Sequence, residues 1–462
     1  MTVGRLASLL LGGTTERPIA STHDQTISLG QFRADVASTI ARIAAVPCSR
    51  GLVVCDDAYW ATVGMFALAH AGAETVFPPN ALPSTLAALS GAFDHVLTDG
   101  VLQGDRILLG PTSGPNPGFA SPIPPMNADA ARVTLFTSGS SGTPKRVVKT
   151  IRQLELEAGV VDRVLGQVVP ENARVHATVV HQHLYGLTFR LCWPLATGRP
   201  FFNRAHQFWE PLLAGVKHGD VLVTTPSHLS RLGGLLPLPS DRRPAAILSG
   251  GAPLPDEAAE NARIIIGCPV REFVGSTEAG VIASRLHVDP QPPSWQPLPG
   301  VTVTRLEDGR MHVRSPYVLN ADDEVSGDLI EFDGAGGFRL LGRADRIAKI
   351  EGVRVSLAEF DARMTELAGV AQAAVVVLPG GIPHLGGVVV LDADGKKELA
   401  DHGAFRLGRR LRLDLARSLT EAALPRRWRF VEQLPAGPLG KVSAPDLAGL
   451  FDVASGTEES AE

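Results

Sequence analysis

The residues best suited to chemistry lie in one uninterrupted run, Thr134-Leu135-Phe136-Thr137-Ser138-Gly139-Ser140-Ser141-Gly142-Thr143-Pro144-Lys145. An apolar stretch leads directly into a loop of serine, threonine and glycine that ends in a lysine. Gly139 and Gly142 let backbone N–H groups point into one concavity, and the hydroxyls and Lys145 add further donors. Such a loop suits a polyphosphate better than it suits a flexible linker, because an ordered strand feeds straight into it.

The spacing of this run excludes two common alternatives. It does not match GxxxxGK[ST], so the usual NTPase phosphate loop is not indicated. It does not match GxSxG either, so a hydrolase nucleophile is not supported. A second candidate group is the pair His181 and His183, for which no carboxylate or third histidine lies at a metal-binding spacing. We therefore expect His183 to line a substrate pocket, with a hydrogen-bonded core histidine as the alternative.

Short apolar runs separated by helical or loop segments must position these residues. Residues 51–55, a helical stretch at 60–70 and residues 74–77 read as a βαβ unit, which requires a parallel sheet. The same rhythm continues in runs that begin at His95, Val133, Val175, Val221 and Ala246. This pattern predicts an α/β fold with stacked sheets.

The pattern changes beyond about residue 300. Residues 301–304 with 311–314, and 327–332 with 337–341, predict two antiparallel hairpins that form a β subdomain. A compact α+β segment follows, in which we expect a helix near Leu357–Leu367 and basic helices at Phe405–Arg417. We expect a large N-terminal domain over 1–342, a small mobile C-terminal domain over 343–452, and a disordered tail over 453–462.

Composition limits the class of protein further. The chain has 462 residues, with 43 Lys and Arg against 48 Asp and Glu, a net charge of −5. This charge excludes a globally basic nucleic-acid binder. No apolar run approaches the ~18 residues of a membrane span, and the first residues, around Leu6, read as the first helix of the fold. The four cysteines show no paired spacing, which favours reduced thiols and a cytoplasmic protein.

The run ending at Lys145 and six segments that follow it in a fixed order give the sequence a family resemblance. The six are His183-Leu184-Tyr185-Gly186, Ser249-Gly250-Gly251-Ala252-Pro253-Leu254, Gly275-Ser276-Thr277-Glu278, Gly327-Asp328-Leu329, Gly342-Arg343-Ala344-Asp345 and Pro438-Leu439-Gly440-Lys441-Val442. The chain resembles the AMP-forming adenylating superfamily, which comprises acyl- and aryl-CoA synthetases, adenylation domains and luciferases. It differs at Val274, where an aromatic is usual, at Arg146, where glycine is usual, and at Ala348 and Leu357 near the hinge.

The resemblance implies a role for each matched residue. Thr137, Ser138, Gly139, Ser140, Ser141, Gly142, Thr143 and Lys145 would hold the phosphates of ATP, and Gly250, Gly251, Ala252, Pro253, Gly275 and Ser276 would contact the nucleotide. Thr277 would bind the α-phosphate, Glu278 would hold Mg²⁺, Asp328 would bind the ribose and Arg343 the ribose or phosphate. Lys441, Thr277 and His183 would act in catalysis. His183, Tyr185, Ser249 and Val274 would line the acid pocket, Asp345 would be the hinge, and Gly352 would border a thiol tunnel.

The implied activity has two steps. A carboxylic acid and ATP give acyl-AMP and pyrophosphate, and a thiol then takes the acyl group as a thioester. The thiol is that of CoA or of the phosphopantetheine arm of an acyl carrier protein. The short N-terminal region resembles compact standalone ligases of aryl-polyene and xanthomonadin-type clusters, which act on aryl or β-hydroxyacyl acids.

Two other functions and one surface remain open at this stage. A non-catalytic nucleotide-binding regulator or scaffold of the same fold is disfavoured by the presence of Lys145, Glu278, Asp328 and Lys441. A luciferase-like oxygenase would require an unusual substrate. Five basic residues are expected either to bind an acidic carrier protein or the CoA 3′-phosphate, or to form an ordinary solvated face: Arg409, Arg410, Arg412, Arg426 and Arg427.

Overall fold

The computed structural model describes residues 6–100, 106–110, 123–137, 145–288, 294–318, 324–350, 353–378, 384–417, 419, 424–435 and 442–452. These residues divide into two compact units. The first comprises residues 1–304, 312–325 and 333–338, and the second comprises 305–311, 326–332 and 339–462. This division differs from the expected boundary after residue 342, because it assigns parts of the hairpin strands to the second unit. The functional boundary stays a prediction.

The strands of the described chain are β1 (Pro18–Ser21), β2 (Thr26–Ser28), β3 (Arg50–Val54), β4 (Glu74–Phe77), β5 (His95–Thr98), β6 (Arg106–Leu108), β7 (Arg132–Thr137), β8 (Lys145–Thr150), β9 (Val175–Ala177), β10 (Phe201–Phe202), β11 (Val221–Thr224), β12 (Ala246–Gly250), β13 (Val270–Ser276), β14 (Gly280–His287), β15 (Gln296–Pro297), β16 (Thr302–Arg305), β17 (Arg310–Arg314), β18 (Glu324–Phe332), β19 (Phe338–Arg343), β20 (Ile347–Ile350), β21 (Val353–Ser356), β22 (Val370–Leu378), β23 (His384–Leu391) and β24 (Arg427–Phe430). The helices are α1 (Leu29–Ala44), α2 (Ala58–His70), α3 (Pro83–Ala88), α4 (Ile151–Leu165), α5 (Leu184–Gly186), α6 (Trp193–Thr197), α7 (Trp209–Gly215), α8 (Pro226–Leu229), α9 (Asp256–Ile265), α10 (Leu357–Thr365), α11 (Ala393–Leu415) and α12 (Ala444–Asp452).

A six-stranded sheet of order β6-β5-β3-β4-β7-β8 carries the predicted phosphate loop. Its β3-α2-β4 segment is the expected βαβ unit, with β3 and β4 parallel. Asp57 caps α2 by accepting from the N–H of Tyr59, and α2 is buried on nearly every side. A Cβ at Gly51 would lie 2.5 Å from Leu68 Cδ2, so the glycine lets α2 pack directly on β3.

A nine-stranded sheet of order β15-β14-β13-β12-β11-β9-β10-β1-β2 carries the other first-unit motifs. In this sheet β9 is parallel to β11, β11 to β12, and β12 to β13. Their residues form continuous apolar runs because both faces of the sheet are covered. Helix α9 buries Ala258, Ala262 and Ile265 in the same core as Leu222 and Ile247. Strand β14 returns antiparallel to β13 and creates a tight turn at its end.

The predicted hairpins form a four-stranded sheet of order β16-β17-β18-β19. Within the second unit, β22, β23 and β24 form a three-stranded sheet and β20 pairs with β21. Phe360, Met364, Leu407 and Leu411 pack in the core of this unit. Trp428 lies against Gly387 and Gly408, where a Cβ would come within 2.8 and 2.9 Å of its ring, so small residues create its site.

Most predicted strands agree with the structure to within one to three residues, but one helical prediction needs correction and one helical segment was missed. The stretch around Leu6 forms a 3₁₀ turn, Leu6–Ser8, rather than a full helix. Gly403, with a φ of 79°, divides α11 into two helical segments, and the second begins close to the expected residue 405. The first segment, which starts at Ala393, was missed because its polar composition hides the helical pattern in the sequence.

Candidate active site

Strands β7 and β8 present the predicted phosphate loop at the edge of their sheet. They pair antiparallel, and the last residue of β7, Thr137, lies opposite the first residue of β8, Lys145. Ser138, Gly139, Ser140, Ser141, Gly142 and Thr143 lie outside the described residues, as does the side chain of Thr137. The structure therefore fixes both ends of the loop as neighbouring strand ends, while the contacts of the loop itself stay a prediction.

Lys145 forms an ion pair with Glu278, the expected metal ligand. The Lys145 Nζ lies 2.8 Å from Glu278 Oε1, and the side chains are 58% and 24% exposed. Partial burial opposes ionisation of Glu278, but the hydrogen bond and charge of Lys145 outweigh it and lower the pKa of the carboxyl group. The same hydrogen bond raises the pKa of Lys145. Both groups are thus charged near neutral pH.

Thr277 and Glu278 lie in the turn between β13 and β14. Ser276 pairs with Gly280 across the turn, and the Ser276 hydroxyl accepts the N–H of Ala279 at 3.0 Å. Gly280 has a φ of +76°, and a Cβ at Gly275 would lie 2.4 Å from the Gly280 carbonyl. Glycine is therefore required at both positions for this turn to form.

Residues 250–254, which include the residues expected to contact the nucleotide, lie at the end of β12 and just beyond it, and Glu272 binds their last residue. A Cβ at Gly250 would lie 2.7 Å from Tyr185 Cε2, and Gly251 adopts a φ of +93°. The Glu272 carboxylate accepts the N–H of Leu254 at 2.9 Å, so it fixes the chain just after Ala252 and Pro253. Sequence reasoning missed Glu272, because it stands beside Arg271 in β13 and reads as an ordinary charged strand residue.

The expected acid-pocket residues lie on adjacent elements of the nine-stranded sheet and of the helix that follows His183. His183 precedes α5, and its carbonyl accepts the N–H of Leu187 at 2.8 Å. A Cβ at Gly186 would lie 1.9 Å from the Val180 carbonyl oxygen, which explains the glycine of this motif. Ser249 is buried at the end of β12, and Val274 is half-buried on β13. Among the described residues, the hydroxyls of Tyr185 and Ser249 are buried without a hydrogen-bond partner.

His181 and Arg190 belong to the packing around this pocket. His181 is buried, its ring packs edge-on against Phe77 at 6.0 Å, and burial holds its pKa well below the ordinary value. The Arg190 guanidinium is buried and donates to the carbonyls of Val179 and Asn203 at 3.0 and 2.9 Å. Arg190 thus fixes the chain just before the histidines, a role that its sequence position did not reveal. Within the described ranges, no group of three or more His, Cys, Asp or Glu residues could hold a metal ion.

Asp328 and Arg343 form a separate group in the second unit. The Arg343 guanidinium lies 3.8 Å from Asp328 Oδ1, and its side chain is 49% exposed. The Ser326 hydroxyl donates to Asp328 Oδ2 at 2.6 Å. A Cβ at Gly327 would lie 2.6 Å from the Arg343 guanidinium, so this glycine leaves room for the pair.

The remaining predicted residues of the second unit are placed only in part. Asp345 lies in a 3₁₀ turn, Ala344–Arg346, and its side chain is outside the described atoms. Gly352 and Lys441 lie outside the described residues altogether. Their roles as hinge, tunnel residue and catalytic lysine stay predictions.

The expected basic patch is largely occupied by contacts within the second unit. Arg410 pairs with Glu398 and Asp414 at 2.7 and 3.2 Å. Arg412 donates to the carbonyls of Leu424 and Pro425. Arg427 donates to the Phe451 carbonyl and lies over its ring. These three arginines bind groups of their own unit rather than forming an ordinary solvated face, and the docking surface stays a prediction.

Comparison with known proteins identifies the class that this arrangement represents. The model of the family described as "AMP-binding enzyme" matches residues 36–318. The chain is 28% identical over 314 residues to a 4-coumarate–CoA ligase of Cereibacter sphaeroides, and the alignment covers 68% of this chain and 70% of that protein. It is 28% identical over 358 residues to a sulfoacetate–CoA ligase of Cupriavidus necator, covering 70% of this chain and 68% of the other.

The fold agrees with these matches. ATP-bound MatB from Rhodopseudomonas palustris superposes with a TM-score of 0.77 at 19% identity, over 98% of this chain and 99% of the other. This likeness confirms the predicted α/β architecture. The chain belongs to the AMP-binding enzyme family, as its six ordered motifs predicted. In the described part of the chain, no helix has the length and apolar character needed to cross a membrane.

Proposed function

We propose that the protein is an AMP-forming acid–thiol ligase. It activates a carboxylic acid with ATP to acyl-AMP, releases pyrophosphate, and transfers the acyl group to a thiol. The observation that carries the proposal is the ion pair of Lys145 and Glu278, which joins the end of the phosphate loop to the turn of Thr277. Four of the predicted motifs lie in the first unit, far apart in sequence, and this ion pair links the motif that ends at Lys145 to the one that contains Glu278.

The first step must bring two anions together, a carboxylate and the α-phosphate. Lys145 and the donors of the preceding loop offset phosphate charge, and the Thr277 hydroxyl donates to the α-phosphate. The ionised Glu278 fits Mg²⁺, because this ion prefers oxygen ligands and often takes only one or two carboxylates beside phosphates and water. When bound, Mg²⁺ would offset the charge of the phosphates. Lys441 would bridge the carboxylate and the α-phosphate as the acyl-phosphate bond forms.

The second step requires a thiol where Lys441 acts in the first. We propose that rotation about Asp345 exchanges these groups and that Gly352 borders the channel of the pantetheine arm. Asp328 and Arg343 bind the ribose in this scheme. The acceptor thiol is that of CoA or of an acyl carrier protein.

The acid is proposed to be an aryl acid with a polar substituent, with β-hydroxyacyl acids as the second class. The buried hydroxyls of Tyr185 and Ser249, which have no partner within the described residues, support this choice, since a polar substituent would satisfy them. The similarity to a 4-coumarate–CoA ligase supports an aryl acid as well.

Pyrophosphate exchange with a panel of acids tests the proposal. We expect ATP-dependent exchange with hydroxybenzoates or hydroxycinnamates, weaker exchange with unsubstituted benzoate, and thioester formation with CoA or a carrier protein. Exchange with simple fatty acids alone would reject the polar aryl pocket. Nucleotide binding without exchange for any acid would favour the non-catalytic regulator.

A further inference from the structure

Lys149 is a buried lysine that lies four residues beyond Lys145 on the same strand. It is 2% exposed, and its Nζ donates to the main-chain carbonyl of Glu278 and to that of Tyr317, the latter at 3.0 Å. Burying an ammonium group is costly unless its donors are satisfied. The two carbonyls supply this compensation, and one of them belongs to the residue that pairs with Lys145.

A buried acid completes the arrangement. Glu157, on α4, is 1% exposed, and its Oε1 accepts the N–H of Val281 at 2.8 Å. Burial lowers the pKa of Lys149 and raises that of Glu157, and the charge of each group partly offsets the effect of burial on the other. A Cβ at Gly280 would lie 3.0 Å from Glu157 Oε1, so the acid packs closely against the turn. Lys149 thus donates to the carbonyl of Glu278, and Glu157 accepts the N–H of Val281, three residues later.

The strand explains why two lysines reach one residue. Side chains four apart on a strand point to the same face, so Lys145 and Lys149 both face the turn between β13 and β14. Lys145 binds the carboxylate of Glu278, whereas Lys149 binds its carbonyl. Sequence analysis predicted Lys145 as part of the phosphate loop, whereas nothing in the sequence marks Lys149 as a partner of the same residue.

We propose that Lys149 and Glu157 are positioning residues that fix the main chain of the 277–281 turn. With that chain fixed, the Thr277 hydroxyl and the Glu278 carboxylate are already oriented toward the triphosphate and its metal ion before ATP binds. The identity of the ligand rests on the proposed function, whereas the restraint on the turn does not. Such preorganisation lowers the cost of ordering the site during binding.

Hydrogen exchange of the ligand-free protein tests the restraint directly. Lys149→Met removes the donors and keeps most of the length of the side chain, and Lys217→Met is the matched control at an exposed lysine. We expect amides of the segment 274–284 to exchange about tenfold faster in Lys149→Met than in the wild type. Exchange should be unchanged in Lys217→Met. Equal protection of this segment in Lys149→Met and the wild type would overturn the inference.

Nucleotide binding tests the consequence. We expect the dissociation constant of MgATP, measured by calorimetry, and the KM for ATP to rise about tenfold in Lys149→Met. The KM for the acid should change less than twofold. A similar rise in both KM values would indicate general loosening and would overturn the specific role. Failure of the wild type to bind ATP would reject the proposed function, while the exchange experiment would still judge the restraint.

The double variant Lys149→Met/Glu157→Gln separates positioning from charge balance. It leaves no unpaired buried charge, so it also guards against a fold that fails in the single variant. If Lys149 holds the Glu278 carbonyl, the double variant stays as weak in ATP binding as Lys149→Met. Recovery of wild-type exchange and ATP affinity would show that Lys149 only neutralises Glu157, and the proposal would be wrong.

Discussion

The candidate nucleotide-binding groups of the two units differ in how firmly their own unit holds them. In the first unit, Lys145 and Glu278 lie 2.8 Å apart, and the carbonyl of Glu278 is bound by the buried Lys149. In the second unit, Asp328 and Arg343 lie 3.8 Å apart, and the Arg343 side chain is half exposed. The two pairs are similarly exposed, so the difference lies in the shorter contact of the first pair and in the buried lysine that binds its main chain, whereas the second pair is looser.

The two steps of the proposed reaction place different demands on the residues that carry them. The phosphate-binding groups of the first unit are proposed to hold one nucleotide through both steps, so fixed geometry is an advantage. Lys441 and Gly352 follow the proposed pivot at Asp345, and rotation is proposed to exchange the lysine for the thiol channel between the steps. We therefore predict that changes at Lys441 and Gly352 separate the two half-reactions, whereas changes beneath the Lys145–Glu278 pair do not.

The largest expected effect is at Lys441. Lys441→Ala should reduce acid-dependent pyrophosphate exchange by about 10³-fold, because it removes the positive charge proposed to bridge carboxylate and α-phosphate. Thioester formation from supplied acyl-AMP should stay within a fewfold of wild type. Lys396→Ala, at an exposed lysine of the same unit, is the control. Equal loss of both steps would contradict the proposed exchange of groups.

The opposite separation is expected at Gly352. Gly352→Trp should slow thioester formation by about 10²-fold, because an indole would block a channel wide enough only for a pantetheine arm. Pyrophosphate exchange should be unaffected, and Gly352→Ala should show a much smaller defect in thioester formation. Parallel loss of exchange and transfer in the Trp variant would remove Gly352 from the channel.

Sequence patterns predicted the parts of the molecule that depend on local periodicity and motif order. The βαβ unit of β3, α2 and β4 and the strand that enters the phosphate loop are examples, since apolar runs and a capping Asp57 specify them locally. The motif order also predicted the family. The helix expected around Leu6 was wrong, because a short apolar run does not distinguish one 3₁₀ turn from a helix.

The residues that bind the main chain of the candidate site could not be predicted from the sequence, for a different reason. Lys149, Glu157 and Glu272 are charged residues in ordinary amphipathic surroundings, and only the tertiary fold shows that they bind main-chain groups of the site. Three residues of the basic patch show the opposite problem. Arg410, Arg412 and Arg427 looked available for a partner, but acids, carbonyls and a ring of the same unit occupy them.

A smaller effect is expected at Asp328, where the site is looser. Asp328→Asn should raise the KM for ATP about tenfold, since the amide replaces one acceptor oxygen with a donor and loses the charge. The wild type should prefer ATP over 2′-deoxy- and 3′-deoxy-ATP, and this preference should shrink in the variant. An unchanged preference would mean that Asp328 does not bind the ribose, which would weaken the comparison between the units.

The smallest effect concerns the stability of the first unit and its dependence on pH. Burial, with the nearby His176 and Arg190, lowers the pKa of His206 from its ordinary 6.5 to about 4. The folded form therefore binds fewer protons than the unfolded chain between these values. The stabilising contribution is present above about pH 6.5 and is lost as the pH falls toward 4.

His206→Gln should remove part of this dependence. Between pH 7 and pH 5, we expect the wild type to lose about 1 kcal/mol more unfolding free energy than the variant, after allowance for partial solvent access. Urea unfolding at the two pH values measures the difference. His402→Gln, at an exposed histidine of the second unit, should leave the pH dependence unchanged. If His402→Gln and His206→Gln behave alike, acid sensitivity does not arise from the buried histidine, and the first unit is not distinguished from the second in this respect.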